Sequence, residues 1–289
     1  MFNPTTGDIL ICDNDNVGIN RQSECQVWGT MEYMAPELVK AETKPSTDTD
    51  LHSLAVLLFN LWVWHHPLHG MKEFSVRSWD LPAKHKIYGL EPVFVFDPND
   101  KNNELPNDPA YSTARQRWGF CPKSLQELFT RAFTTGLREP ARRVTEGEWK
   151  NLFLKLQDSI AICSYDKAEN FWNPGISTTR CWYCQKEVSI PAKLEFTQPT
   201  GKHHLLLNRE TQLLRRHIDP GSWEGWAVIG QVVQNPANPD VWGIKNLTPT
   251  PWTATFTDGS LKEIPPDRAA PLNAGLKLNI NGVMSEIVP

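Results

Sequence analysis

The chain has little net charge, no long apolar run and no low-complexity tract. Its formal charge is −4 over 289 residues, so no basic field draws it to nucleic acid or anionic lipid. The longest apolar stretch, Leu54 to Trp64, is interrupted by Asn60. It falls short of the roughly 20 residues that a bilayer-spanning helix needs. No charged-then-apolar leader opens the chain at Met1, so the expectation is a reducing cytoplasm and no secretory signal. The letters show no internal repeat. Cysteines are few and spread out: Cys12, Cys25, Cys121, Cys163, Cys181 and Cys184. In a reducing compartment, cysteines that cluster point to metal sooner than to disulfide.

Tryptophan and proline are abundant, 12 and 23 residues, which suggests aromatic anchors and many turns. The length suits about two domains. Asn3 to Asp8 is dense turn chemistry before the strand-like Ile9-Leu10-Ile11, so residues 1–12 read as a hairpin. Ser46 to Asp50 can cap a helix running to about Trp64, and that helix is apolar nearly all round, the pattern of a buried central post. Asp97 to Pro109 reads as an exposed loop. Two amphipathic helices follow, about Ser124–Gly136 and Thr145–Leu156; Thr145 and Glu148 have capping-box spacing. From about residue 201 the chain turns to short strands, with Asp258-Gly259 and Asn281-Gly282 as two-residue hairpin turns.

Gly29-Thr30-Met31-Glu32-Tyr33-Met34-Ala35-Pro36-Glu37 resembles the end of the activation segment of serine/threonine protein kinases. Further matches fall in the family's order: Asp13-Asn14-Asp15 after a short strand, Asp50 to Leu54 opening the buried helix, His65 to Gly70 after it, and Glu139 to Thr145 late in the lobe. The resemblance covers residues 1–157. It implies that Asp13, or alternatively Asp15, holds Mg²⁺ against the phosphates of ATP. It implies that Thr30 faces the substrate loop and that Asp50 receives backbone N–H bonds from the catalytic loop. Glu37 and Arg143 would form a buried ion pair, with Arg142 the alternative should the register slip by one. Asn14 and Asp15 stand where the family has Phe and Gly. The Gly-rich phosphate cover, the nucleotide lysine and the catalytic base are not among these residues. The resemblance therefore implies an N-terminally truncated helical lobe, inactive alone; the alternative is a non-catalytic, pseudokinase-like scaffold.

Cys181-Trp182-Tyr183-Cys184 is a C-x-x-C knuckle, and with Cys163 it supplies three ligands for a structural zinc, with His203 or His204 as fourth. Two ordinary thiols in a tight turn, or a redox pair, are the other readings. Residues 200–289 resemble a forkhead-associated β-sandwich on "VWGIKNLTPTPW" and "LNAGLKLNING", although the family's phosphothreonine-reading Arg and Ser-x-x-His do not recur. The expected fold is thus multidomain: a mainly α kinase-like lobe (1–157), a small Cys-containing module (158–199) and an all-β sandwich (200–289). This order resembles bacterial multidomain kinases. The partners implied are a protein substrate or docking protein, with no membrane and no nucleic acid. Self-association through an exposed apolar seam is also expected.

Overall fold

The computed structural model describes residues 3, 7–10, 18–20, 28–198 and 201–289. It divides into two compact units, Met1–Lys150 and Asn151–Pro289. The first is helical and the second is built from antiparallel sheets. Among the described residues no helix is long and apolar enough to cross a membrane. Of the hairpin read over residues 1–12, only residues 3 and 7–10 are described: Gly7 N donates to Asn3 O (2.8 Å), with Gly7 at φ 77°. Asp13 and Asp15 lie outside the described residues.

The central helix of the first unit runs Thr47–Val63. Ser46 and Thr49 close a capping box at its start, and Asp48 and Asp50 place carboxylates in its first turn, where the helix dipole favours negative charge. Trp64 ends it in the left-handed region at φ 56°. His52, Ala55, Val56, Phe59 and Val63 are buried. Phe59 meets Phe94, Phe129 and Phe133 edge-on, with ring centroids 5.6, 5.2 and 5.6 Å away. The expectation of a helix buried on every side is corrected here. Leu57 and Leu61 are about half exposed, at 47% and 52%, because the described core packs against one face only. Arg117 lies over one face of the neighbouring Trp64, its guanidinium 3.9 Å from the ring centroid, and the ring stays largely exposed.

The two later helices form at Lys123–Phe133 and Glu146–Asp158. Leu125, Phe129 and Phe133 point inward from the former. The latter starts with the capping box: Thr145 N donates to Glu148 Oε2 (3.0 Å) and Glu148 N to Thr145 Oγ1 (3.3 Å). The stretch 97–109 is a loop exposed at most positions, as its composition suggests, but it is pinned from within at a few buried ones. Asn103 is fully buried. It donates to Leu68 O (2.9 Å) and Val93 O (2.7 Å) and accepts from Lys72 N (2.9 Å), so one side chain satisfies three backbone groups.

The second unit opens with two small hairpins. Strands β1 (Ile160–Ile162) and β2 (Glu169–Phe171) pair, as do β3 (Thr178–Arg180) and β4 (Glu187–Ser189). Ten further strands follow: β5 (Lys193–Gln198), β6 (Gly201–Leu206), β7 (Gln212–Leu214), β8 (Val228–Asn235), β9 (Asn238–Asn246), β10 (Trp252–Thr255), β11 (Leu261–Ile264), β12 (Ala269–Pro271), β13 (Lys277–Ile280) and β14 (Val283–Val288). They form a six-stranded sheet, β11-β10-β13-β14-β5-β6, and a four-stranded sheet, β12-β9-β8-β7. One core cluster draws on both, including Phe196, Leu205, Leu213, Ile229, Ile244, Trp252 and Leu278. β5 starts upstream of the boundary at residue 200 suggested by composition, because Lys193 to Gln198 pair with β6 and Lys193 to Phe196 also pair with β14. Asn281-Gly282 is a two-residue turn with both φ positive, 51° and 89°. The Asp258-Gly259 turn is wider than read: Phe256 N donates to Ser260 O (2.9 Å) across it.

Candidate functional site

Two constellations stand out, one in each unit. In the first, Arg143 is almost wholly buried, its side chain 2% exposed. Its Nη1 donates to Glu37 Oε1 (2.7 Å) and its Nη2 to Glu37 Oε2 (2.8 Å). Nη1 also donates to Asp48 O (2.8 Å), and Nε to Gly136 O (3.0 Å). The planar fork thus joins the short helix Pro36–Val39, the start of the central helix and the segment before Glu146. Burial of such a pair is tolerable because every charged edge has a partner. Arg142, the alternative, lies outside and meets Glu139 at 3.2 Å.

Thr30 is exposed, and its carbonyl accepts from Tyr33 N (2.9 Å) at the turn Met31–Tyr33. Asp50 is exposed in the first turn of the central helix, and partial desolvation raises its carboxyl above its ordinary value. The structure therefore brings Glu37 and Arg143 together and leaves Thr30 and Asp50 at the surface.

In the second unit, β1–β2 and β3–β4 each end in a tight turn, and the two turns face each other. Cys163, Asp166, Cys181 and Cys184 present their ligand atoms within 4.8 Å of one another, an arrangement that can hold a metal ion. Cys163 Sγ lies 3.7 Å from Cys184 Sγ. Cys181 Sγ lies 3.4 Å from Asp166 Oδ2 and 3.7 Å from its Oδ1. Cys163 and Cys181 are fully buried, beside Ala161, Trp172, Val188 and Leu206. Burial raises the Cys181 thiol, but the Cys184 and Tyr183 amides outweigh it and hold the group below its ordinary value. The hydrogen bond with Asp166 pushes Cys184 up to about 12.

His203 and His204, read as candidate fourth ligands, lie elsewhere. His203 Nε2 donates to Asp158 Oδ2 (2.8 Å) and His204 Nε2 to Glu195 Oε2 (2.9 Å). The acidic residue beside the cysteines is Asp166, which sequence reasoning passed over. The available signal was its spacing: Cys163-x-x-Asp166 repeats Cys181-x-x-Cys184 with one ligand changed.

Asp158, His203 and His217 also cluster. There, however, Arg216 spans the carboxylate, Nη2 to Oδ1 at 2.7 Å and Nη1 to Oδ2 at 2.8 Å. His217 Nδ1 accepts from Leu214 N (2.9 Å), so its Nε2 carries the proton that faces Asp158 Oδ1 (3.2 Å). Both oxygens are occupied by donors, which makes this a structural hub of the sandwich rather than an ion site. No protein-family model matches the chain, and no curated protein or solved structure matches it either.

Proposed function

We propose that residues 1–157 are part of the helical lobe of a serine/threonine protein-kinase fold, an enzyme that transfers phosphate from Mg-ATP to protein Ser or Thr. The observation that carries this reading is the Arg143–Glu37 pair, which ties the Gly29–Glu37 segment to the turn before the last helix. The buried aromatic packing around Phe59 on the central helix supports it as well. Phosphoryl transfer rests on positioning and charge neutralisation. The 289 residues hold no nucleotide lysine, Gly-rich cover or catalytic base, so they are expected not to transfer phosphate alone. The test reads the genomic frame before the first codon. A His-Arg-Asp-type loop ending in an Asn ligand supports the enzyme. An immediate stop codon with a stably expressed chain supports the scaffold reading. Thermal unfolding with millimolar Mg-ATP is expected to show no shift; a shift abolished by Asp13→Ala contradicts the expected lack of nucleotide binding.

For the second unit, the reading is a structural zinc held through Cys163, Cys181 and Cys184, followed by a forkhead-associated-like sandwich that docks a protein partner. Free thiols of this kind suit a reducing cytoplasm.

A further inference from the structure

The two hairpins of the second unit are copies of one design. Ile160 pairs with Phe171 and Ile162 with Glu169; Thr178 pairs with Ser189 and Arg180 with Glu187, each residue 18 positions after its counterpart. The turns agree bond for bond. Cys163 N donates to Ala168 O (2.9 Å) and Lys167 N to Cys163 O (3.1 Å). Cys181 N donates to Lys186 O (2.8 Å) and Gln185 N to Cys181 O (3.0 Å). Lys167 and Gln185 both sit in the left-handed region, at φ 64° and 61°, where a non-glycine residue is strained. Even the closing bonds correspond, Trp172 N to Ser159 O (2.8 Å) and Ile190 N to Ser177 O (3.2 Å). Ser159 and Ser177, Cys163 and Cys181, Tyr165 and Tyr183, and Glu169 and Glu187 keep the same residue. Under this correspondence Asp166 takes the place of Cys184.

We propose that Asp166 is the fourth metal ligand and that the centre is a closed three-sulfur, one-oxygen site for a zinc ion; this rests on the zinc reading above. The chemistry of the two knuckles agrees atom by atom. Ala168 N donates to Asp166 Oδ1 (2.9 Å), as the Lys186 amide does to Cys184 Sγ. Oδ2 therefore faces the cysteines, 3.4 Å from Cys181 Sγ. Around a tetrahedral zinc with bonds of about 2.3 Å to sulfur and about 2.1 Å to oxygen, sulfur–sulfur edges are about 3.8 Å and sulfur–oxygen edges about 3.6 Å. The distances of 3.7 Å for Cys163–Cys184 and 3.4 Å for Cys181–Asp166 meet that requirement. Asn170 supports the arrangement from outside. Its Nδ2 donates to Ala168 O (2.9 Å) and reaches toward Cys181 Sγ (3.8 Å), while its Oδ1 accepts from Trp182 N (3.0 Å). One side chain thereby ties one knuckle to the other, the usual work of a residue behind a metal's ligands. With four protein ligands the centre needs no water and serves structure rather than catalysis. Zinc, of borderline softness, accepts a mixed sulfur and oxygen set.

The experiment uses the full 289-residue chain, purified under reducing conditions and titrated with Zn²⁺ against a chromophoric chelator, then with Co²⁺ as a spectroscopic stand-in. One metal per chain is expected, with tetrahedral Co²⁺ bands and thiolate charge transfer. Asp166→Ala is expected to weaken zinc by at least about tenfold, the least that even outer partners of a metal site contribute. Asp166→Cys is expected to keep the stoichiometry and strengthen the charge-transfer band through a fourth thiolate. Unchanged zinc affinity and an unchanged Co²⁺ spectrum in Asp166→Ala overturn the ligand assignment while leaving zinc in place. Absence of metal binding by the unaltered chain overturns the zinc reading itself. Should Asp166→Ala fail to fold, a folded Asp166→Cys chain with no gain in charge transfer still overturns the assignment.

Discussion

Arg143 and Glu37 face each other fork to fork, at 2.7 and 2.8 Å, across 106 positions of sequence. Because the guanidinium is also bonded to two carbonyls, it has no route to water. Glu37→Gln is expected to destabilise the first unit by about 3–5 kcal/mol, since it strands a buried cation. Arg142→Ala, at an exposed pair, is expected to cost under about 1 kcal/mol. Urea denaturation followed by tryptophan fluorescence compares them, and equal midpoints for the two variants contradict the burial argument.

Burial pushes His52 and His69 down to about 3 and His66 to about 4. The His66 bonds require the neutral ring: Nε2 donates to Glu32 O (2.8 Å) while Nδ1 accepts from Leu68 N (3.2 Å). In the unfolded chain these rings take up protons near 6.5. Between that value and about 4 the unfolded state binds more protons than the folded one. Stability is therefore full above pH 6.5 and falls as the pH drops toward 4, by up to about 3 kcal/mol for His66 alone. Denaturation midpoints at pH 7.5, 6 and 5 follow this loss. His66→Gln, which cannot titrate, is expected to flatten the slope; an identical slope in that variant assigns the effect elsewhere.

Asn103 is a single polar pin for three backbone groups. Asn103→Ala leaves those groups without their partner and is expected to cost about 3 kcal/mol. The adjacent Asn102 is exposed, and Asn102→Ala should fall within about 0.5 kcal/mol of the parent. Parallel denaturation curves decide the matter.

Metal removal tests the hairpin module. If an ion organises the knuckles, chelation unfolds what it holds. Hydrogen exchange at the Cys163 and Cys181 amides, which bond Ala168 and Lys186 carbonyls, is expected to accelerate sharply. Amides of the sandwich strands β8 and β9 should keep their protection. Unaltered exchange at both cysteines after chelation contradicts a structural ion.

Leu57, Leu61 and Trp64 recur at helical spacing and are 47%, 52% and 68% exposed. The expected consequence is self-association of the isolated chain. Light scattering should show a mass above the monomer, and Leu57→Lys with Leu61→Lys should lower it. A monodisperse monomer for the unaltered chain counts against the idea.

Local rules made several features legible in the letters. Ser46 and Thr49 mark the start of the central helix, Thr145 and Glu148 that of the last, and Asn281-Gly282 the closing hairpin, because caps and tight turns depend on residues a few positions apart. The Glu37–Arg143 juxtaposition came from resemblance to a family pattern; nothing local in either residue foretells it. The metal cluster was half legible, since Cys-x-x-Cys announces itself while a carboxylate at the same spacing is an everyday surface residue.

What the sequence by itself determined was the division into a helical part and a strand-rich part, a capped helix over about residues 50–64, which the structure starts at Thr47, and the cysteine knuckle. Tertiary structure alone decided that Asn103 is buried, that Lys193 opens the sandwich, that His203 serves Asp158, and that Asp166 joins the cysteines within a repeated hairpin. The physical reason is that periodicity and caps act over one or two turns of chain, whereas burial and metal geometry depend on which distant backbones meet. The repeat shows this most plainly: it is preserved in backbone hydrogen bonds and left-handed turns, which many different side chains can clothe.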